Sequence, residues 1–592
     1  MTFLVKSSLA LLISSTLVAC AGTKGDFDVE DVQTPQKQIN THTSRDIKTD
    51  PREKAQAEGI MKPAYGYGMA IPRRNSHPKL GSPTAEIKLE KIQTLSLQPN
   101  GAIPYLEEMM KEGTVAYTHN PNGTKLQKRD LKFVKSGYVL VENKTEITRN
   151  EKDEITGFGV GAKGYVYYLG SNPSSSIPTA TAPLKYEGTW DFVSDARSSR
   201  AHPEGFNKQG APGRNTGATS FHDNVYDGRL DNEEAYKDKH YKIGHTSHFQ
   251  VDFANKTLKG QLYKNSNPNF ATKDQKVIQR YAIEANIAGN RFSGKAMAQN
   301  EDNNKKHELF SSDSSFLEGG FFGPNAEELA GKFLTDDKSL FAVFAAKRES
   351  KENEATEKLL DAIKIDPTFM ARDLDNFGDA RKLLLNGQEI SLLDDTSNFT
   401  VTKEVTQGNK TYQVNVCCHN LDYTKFGLLS EKTQDQFTHV ELFLQGERTA
   451  TSKIPTTAGE VKYRGTWEGK INHPIVWATS ASDKTGASKA EFDVDFAKKE
   501  IKGNLTAENG VNPAFIISGK IEGNGFTGKA STHQEGLNLD PGSTLNSNTI
   551  HLTDIPVKGG FFGKAAEELG GAFQDEGKKV GVVFGAKRQE NQ

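Results

Sequence analysis

The sequence predicts an all-β chain of two homologous lobes, each an irregular sheet-rich unit followed by a small antiparallel barrel. Three observations predict it. Apolar and polar residues alternate in short runs bounded by turn residues, as in Phe249-Gln-Val-Asp-Phe253. The chain holds 54 Gly and 32 Phe, residues that serve turns and fill sheets. Five sequence blocks also occur twice, in the same order.

At 592 residues the chain exceeds one ordinary domain. Its 74 basic and 76 acidic side chains give a net charge of -2, a balance that argues against a nucleic-acid partner. Only 3 Cys are present, so no disulfide framework holds the fold and packed cores must supply the folding energy.

The leader comes first. Lys6 is followed by the apolar run Leu9, Leu11, Leu12, Ile13, Leu17 and Val18, too short to span a bilayer. It ends in Leu17-Val18-Ala19-Cys20, the pattern of a bacterial lipobox. Residues 1–19 are therefore expected to be a signal peptide, with Cys20 acylated after cleavage. Several acyl chains on one residue give a stable anchor where one would be marginal. Residues 20–60 form the anchor peptide: they are rich in Lys, Asp, Glu, Thr and Gln and too poor in apolar groups to fold alone. As a flexible coil they would span about 35 Å.

The repeat organises the rest. Tyr186-Glu-Gly-Thr-Trp190 returns as Tyr463-Arg-Gly-Thr-Trp467. Phe249–Phe253 returns as Phe492-Asp-Val-Asp-Phe496, and Ile287–Gly294 as Ile521–Gly528. Gly319-Gly-Phe-Phe-Gly323 with Glu327-Glu-Leu329 returns as Gly559–Gly563 with Glu567-Glu-Leu569. Phe341–Arg348 returns as Val580–Arg588. The longest excess of the first copy lies between Trp190 and Phe249. Short strands and turns in this order suit a closed meander, which has no exposed edges. Most of the segments read shorter than the roughly 9–11 residues of a membrane-spanning strand, so water-soluble barrels are expected. A weaker pair, Tyr165–Gly170 and Glu441–Gly446, precedes each barrel, and the lobes divide near Glu349–Glu357. The expected domains are 61–184, 185–350, 351–455 and 456–592.

Several constellations carry no chemistry. His240, His245 and His248, with His222 upstream, lack Cys or carboxylates at ligand spacing; His248 starts a strand, and the others, in polar turn-rich sequence, read as solvated loop histidines. The adjacent Cys417 and Cys418 could bridge, though neighbouring Cα atoms lie only about 3.8 Å apart, and they read as a structural pair. The acid pairs Glu327-Glu328 and Glu567-Glu568 are expected on a short helical turn. A glycosidase would need two carboxylates facing one cleft, and their duplication with the fold points to structure. No nucleophile-elbow, P-loop or zinc-protease motif occurs. No cofactor, metal or catalytic residue is expected, and a capturing receptor is favoured over a surface hydrolase.

These residues resemble the transferrin-binding protein B lipoproteins of Gram-negative mucosal bacteria. The resemblance rests on the lipobox, Leu317-Glu-Gly-Gly-Phe-Phe-Gly-Pro324, Cys417–Gly427, Phe443–Ala450 and Val583-Phe-Gly-Ala-Lys-Arg588. It implies a handle domain and an eight-stranded barrel in each lobe. It also implies outer-membrane anchoring, preference for iron-loaded host transferrin and cooperation with a TonB-dependent channel. Transferrin would be held by exposed N-lobe loops at the tip of handle and barrel. In the matching region stand Tyr65, Tyr67, Arg73, Arg74, Tyr105, Phe133, Tyr138, Tyr165, Tyr167 and Tyr168, with Tyr105 and Tyr167 the first choices as anchors. Tyr165 and Tyr167 share one strand face and Val166 and Tyr168 the other, so one pair must pack inwards. Related lipoproteins that bind lactoferrin carry long acidic runs, and no run of five acids occurs here; haemoglobin or a complement regulator would keep the receptor class. Replacing Cys20 by Ser should release the protein from the membrane fraction and abolish lipid labelling; unchanged tight association would contradict the lipobox reading.

Overall fold

The computed structural model describes residues 62–72, 75–77, 86–91, 94–98, 115–118, 131–141, 146–160, 163–197, 219–220, 244–265, 274–299, 308–349, 355–393, 398–433, 436–456, 459–472, 474–542 and 548–589. Cys20 and the anchor peptide lie outside them. The first lobe opens with β1 (Gly66–Ile71), β2 (Asn75–His77), β3 (Thr94–Leu97), β4 (Val115–Thr118), β5 (Val134–Val141), β6 (Glu146–Arg149), β7 (Ile155–Val160) and β8 (Lys163–Gly170). They form a sheet in the order β3-β1-β8-β5-β4 and a smaller one, β2-β7-β6. After β9 (Ser176–Pro178) comes a closed barrel of β10 (Leu184–Ser194), β11 (Gly244–Asp252), β12 (Thr257–Asn265), β13 (Val277–Ala288), β14 (Arg291–Ala298), β15 (Ser314–Phe322), β16 (Glu328–Leu334) and β17 (Leu340–Arg348), sealed by the β10–β17 pairing.

The second lobe repeats the plan. Its β18 (Thr356–Lys358) pairs back with β9. The handle follows with β19 (Leu360–Ile365), β20 (Ala371–Asp373), β21 (Lys382–Leu385), β22 (Gln388–Ser391), β23 (Thr400–Gln407), β24 (Lys410–Cys417), β25 (Thr424–Thr433) and β26 (Gln436–Glu447). The second barrel runs through β27 (Glu460–Asn472), β28 (Val476–Thr479), β29 (Lys489–Asp495), β30 (Glu500–Thr506), β31 (Phe515–Glu522), β32 (Gly525–Ser531), β33 (Leu537–Asn538), β34 (Thr549–Ile550), β35 (Ile555–Phe562), β36 (Glu568–Asp575) and β37 (Val580–Arg588). The pairing of β27 with β37 closes it, with β28 hydrogen-bonded to the far end of β27 and β33 and β34 forming a separate hairpin.

The repeated motifs act alike in both barrels. The Tyr186 hydroxyl donates to the Ala326 carbonyl at 2.6 Å, and Tyr463 donates to Ala566 at 2.7 Å. Trp190 Nε1 donates to the Tyr263 carbonyl at 3.0 Å, and Trp467 Nε1 to Thr506 at 2.9 Å. A buried tyrosine or tryptophan needs such a partner for its polar end. The acid pairs sit in tight turns leading into a strand, not on helical turns as the sequence suggested. Ala326 and Ala566 hold left-handed backbone there, with φ of 57° and 59°. Glu327 and Glu567 each accept a backbone N–H of their own turn at 2.8 Å. The next acid crosses to the handle. Glu328 accepts the N–H groups of Lys132, Phe133 and Val134 at 2.6–2.9 Å, and Glu568 accepts those of Asp422 and Tyr423 at 2.5 and 3.1 Å.

The first barrel's walls correct the strand lengths read from sequence. β10 spans 11 residues and β13 spans 12, long enough to cross a membrane. Their inner rows are apolar and packed, with Trp190, Phe249, Tyr281 and Phe344 all buried. Outer rows carry exposed Gln250, Lys259 and Glu284. That is the reverse of a lipid-facing barrel with a polar lumen.

Where the handle lies on the barrel, strands are buried on both faces. Along β17, Ala342, Phe344 and Ala346 enter the barrel core, while Phe341, Val343 and Ala345 enter the core shared with Tyr67, Met69, Tyr138, Val166 and Tyr168 of the handle. In the second lobe Val583 packs into the handle core with Phe426 and Leu444. Glu468 stands opposite Val583 across the β27–β37 pairing. It is 4% exposed, and burial raises its carboxyl from 4.5 to about 8 against one stabilising hydrogen bond from the Ala481 backbone. A folded pKa above the unfolded one means stability is full below about pH 4.5 and declines as pH rises towards 8. Glu468→Gln removes the ionisation, so the variant should melt like wild type at pH 5 and above it at pH 9, by on the order of a few kcal/mol. Thermal melts at both pH values check this, and a gain of equal size at pH 5 would contradict it.

Candidate functional site

The ends of the first barrel differ. At the proximal end, the β13–β14 turn meets the second lobe. Asn290 Nδ2 donates to the carbonyls of Ser174 at 3.1 Å and Asn376 at 2.7 Å. The Arg291 guanidinium lies 4.9 Å from the Phe377 ring centre and donates to the Ala64 carbonyl at 3.2 Å. Gly289 and Gly378, both at positive φ, approach so closely that a Cβ on either would fall within 3 Å of the other's backbone. Beneath this contact Glu318 accepts from Arg291 and, at 2.5 Å, from Lys332 Nζ. Lys332 is fully buried, and burial pushes its ammonium well below its usual range. Such a cluster is costly to break, because any lost partner leaves a buried charge.

The distal end carries the connections 195–243, 266–276, 299–313 and 335–339. Their counterparts in the second barrel are 473–488, 507–514, 532–554 and 576–579. The first connection is therefore far longer in the first lobe, and insertions gathered on one face of a repeat often mark a binding face. The handle reaches the same end. The bridge between Ile87 and Ala196, and the bond from Asp195 N to the Ser339 carbonyl at 2.8 Å, place the handle segment at 86–91 there. The β6–β7 hairpin leaves the handle sheet on that side, opposite the proximal contacts of Gly170, Ser171 and Asn172.

That hairpin has a fixed tip. The Asn150 side-chain oxygen accepts the N–H groups of Lys152 at 3.0 Å and Glu154 at 2.9 Å. Arg149 donates to the Asp153 carbonyl at 2.7 Å, and Asp153 takes φ of 64°. Ile147 and Ile155 are 53% and 40% exposed on it. Two exposed isoleucines beside an arginine, on a pre-organised hairpin, form a surface suited to protein contact at little ordering cost.

The sequence-predicted anchors lie elsewhere. Tyr67, Tyr138 and Tyr168 are buried between handle and barrel. Tyr65, Tyr165 and Tyr167 are buried on the sheet's other face, against Phe377 and Leu384 of the second handle. The Tyr65 hydroxyl donates to Asp375 at 2.5 Å, and burial first, then Asp375, pushes its pKa up. Both strand faces pack inwards because the sheet is covered on both sides, where the sequence required this of one pair only. Phe133 is half-buried beside Gly323 at the proximal end. Arg73, Arg74 and Tyr105 lie outside the described residues. Ile147, Arg149 and Ile155 were missed, although Glu146-Ile-Thr-Arg149 and Ile155-Thr around Asn150 and Asp153 carry a legible hairpin signal.

The remaining candidates settle as follows. His245 is buried within β11, its ring 5.0 Å from Trp190 and 5.3 Å from Phe192, so it is a core residue and not a loop histidine. His248 lies in mid-strand with Nδ1 3.3 Å from Glu187 Oε1; His222 and His240 lie outside the described residues. Among the described residues no group of three or more His, Cys, Asp or Glu could hold a metal. Cys417 and Cys418 are disulfide-bonded across a cis peptide and buried with Phe399 and Phe426.

Family models match in three parts: one described as N-lobe handle Tf-binding protein B over 43–174, one as the C-lobe handle domain over 357–449, and one as C-lobe and N-lobe beta barrels over 177–348 and 454–588. A transferrin-binding protein B from Neisseria meningitidis serogroup B is 38% identical, covering 99% of both chains. One from Moraxella catarrhalis is 34% identical over 92% of this chain and 88% of its own. The crystal structure of isotype 1 transferrin-binding protein B from serogroup B Neisseria meningitidis superposes with a TM-score of 0.75 at 38% identity, covering 89% of this chain and all of that one. The structure of intact Ap-TbpB, with N and C lobes, gives 0.72 at 36%, covering 93% and 99%.

Proposed function

We propose, for a chain that belongs to the transferrin-binding protein B family, a receptor that holds iron-loaded host transferrin at the distal end of its N-lobe. Members of this family are surface-exposed binding lipoproteins of Gram-negative bacteria and not enzymes. The receptor is anchored in the outer membrane through Cys20 and presents its cargo to a TonB-dependent channel for iron uptake. The observation that carries the placement is the asymmetry of the N-lobe barrel. Its proximal end is taken up by the C-lobe handle, and its distal end is where the long connection 195–243 joins β10 to β11.

Preference for the iron-loaded form needs a difference in contact between the two states of the ligand. Transferrin closes its domains around iron, so a receptor surface that bridges them can select the closed form without touching the metal. A rigid support serves such selection. The N-lobe handle is packed on both faces, and the charged cluster of Arg291, Glu318 and Lys332 lies under the proximal junction.

Calorimetric titration of the full chain with iron-loaded and iron-free transferrin tests the reading. The iron-loaded form should bind more tightly. Ile147→Asp combined with Ile155→Asp should weaken that binding about thirtyfold, on the order of 2 kcal/mol for a hot spot, and leave the melting temperature unchanged because both side chains face solvent. Equal affinity for the two iron states would remove the selectivity. Undiminished binding by the double variant would move the contact away from the hairpin.

A further inference from the structure

The outer wall of the N-lobe barrel carries a cavity of about 600 Å³ across β10–β13, of which β10 also enters, through Val193, the core shared with the handle. That volume falls within the roughly 300–1,000 Å³ of small-ligand sites. The strand register sets its lining. Glu187, His248 and Gln261 stand opposite one another across three strands. Gln250 occupies the row to one side, and Tyr263 and Asn265 the rows to the other. His248 Nδ1 lies 3.3 Å from Glu187, and its ring stands at 82° to that of Tyr263, with centres 5.5 Å apart.

Asn265 gives the cavity a buried polar wall. It is 2% exposed and lines the cavity. Its Nδ2 donates to the Gly244 carbonyl at 3.1 Å and to Thr246 Oγ1 at 3.0 Å. Its Oδ1 has no hydrogen-bond partner among the described residues. Buried polar atoms are nearly always satisfied, so an unpaired acceptor at a cavity wall calls for a donor from outside the fold.

We infer that this cavity is a binding site for a neutral polyhydroxylated ligand, a saccharide. A sugar hydroxyl is both donor and acceptor, and the amides of Gln250 and Gln261 offer both functions at one fork. Tyr263 supplies an apolar ring against which the C–H face of a pyranose can pack. A peptide fits less well. β11 and β12 are paired on both sides in a closed barrel, so no backbone edge is free for strand addition. The exposed apolar side chain lining the cavity is Val277, which gives little anchorage for a protein hot spot.

The second lobe supplies an internal contrast. There the row of Glu187, His248 and Gln261 becomes Arg464, Glu491 and Asn504, and Thr506 replaces Tyr263. Lys462 and Asp493 pair at 3.4 Å where Lys185 and Gln250 stand in the first lobe. The second copy of the wall thus sets charged side chains against one another, and the first adds the amides of Gln250 and Gln261 and the Tyr263 ring to Lys185, Glu187 and His248.

The same chemistry could come from a host glycoprotein glycan or from the oligosaccharide of the cell's own surface glycolipid, so the test has two arms. Saturation-transfer NMR and calorimetry, without transferrin, would follow the full chain with N-acetyllactosamine and, separately, with core oligosaccharide released from the cell's own glycolipid. Binding is expected in at least one arm, and which arm responds identifies the source. Tyr263→Ala, and separately Gln250→Ala with Gln261→Ala, should each weaken it at least about tenfold without lowering the melting temperature. Absence of binding in both arms, or affinity unchanged in both variants, would overturn the assignment. Either failure leaves the transferrin reading standing, because no transferrin is present.

Discussion

Burial of barrel strands on both faces is the constraint from which the rest of this molecule follows. A strand such as β17 sends Phe344 into the barrel and Val343 out of it, and both are fully buried. A closed barrel satisfies the inner row alone, so the outer row needs a second sheet. That sheet is the handle, and the backbone N–H groups of Lys132–Val134 and Asp422–Tyr423 meet carboxylates at the barrel rim. An orphaned donor there would cost about 1–3 kcal/mol. The carboxyl groups of Glu328 and Glu568 remove that cost and, in doing so, tie handle to barrel. The paired acids are thus a joint in each lobe.

The same logic continues between the lobes. The N-lobe handle sheet carries large tyrosines on its far face as well, and the C-lobe handle covers them with Phe377 and Leu384. Together with the bonds of Asn290 and the contacts of Arg291, this leaves the distal end, where the long connection 195–243 joins β10 to β11, as the end of the N-lobe barrel away from these contacts. The C-lobe handle braces the N-lobe handle and the proximal end of its barrel. The two barrels keep the same tyrosine and tryptophan ties and differ in connections and outer-wall chemistry, where a change costs the core nothing.

The legible part of the sequence was the part fixed by geometry that every copy must obey. Turn glycines, inward aromatics and the Phe341–Arg348 run gave the strand order because these positions answer to local packing. The tyrosines of β1 and β8 were misread because alternation reports that a strand has two faces, and not what covers each one. Only the tertiary arrangement places a second lobe over Tyr165 and Tyr167. His245 was misread for a related reason: its neighbours Gly244 and Thr246 look like turn chemistry, yet the ring closes the gap between Trp190 and Phe192. The acid pairs carried a helix-start signal, but the left-handed Ala326 and Ala566 turn the chain directly into a strand.

Hydrogen–deuterium exchange of the full chain, with and without saturating iron-loaded transferrin, tests the division of labour most directly, since exchange reads local opening segment by segment. Protection should appear in 146–160 and in the 195–243 connection, with 355–393 and the C-lobe barrel unchanged. Protection confined to the C-lobe, with the N-lobe distal end unaltered, would contradict the account.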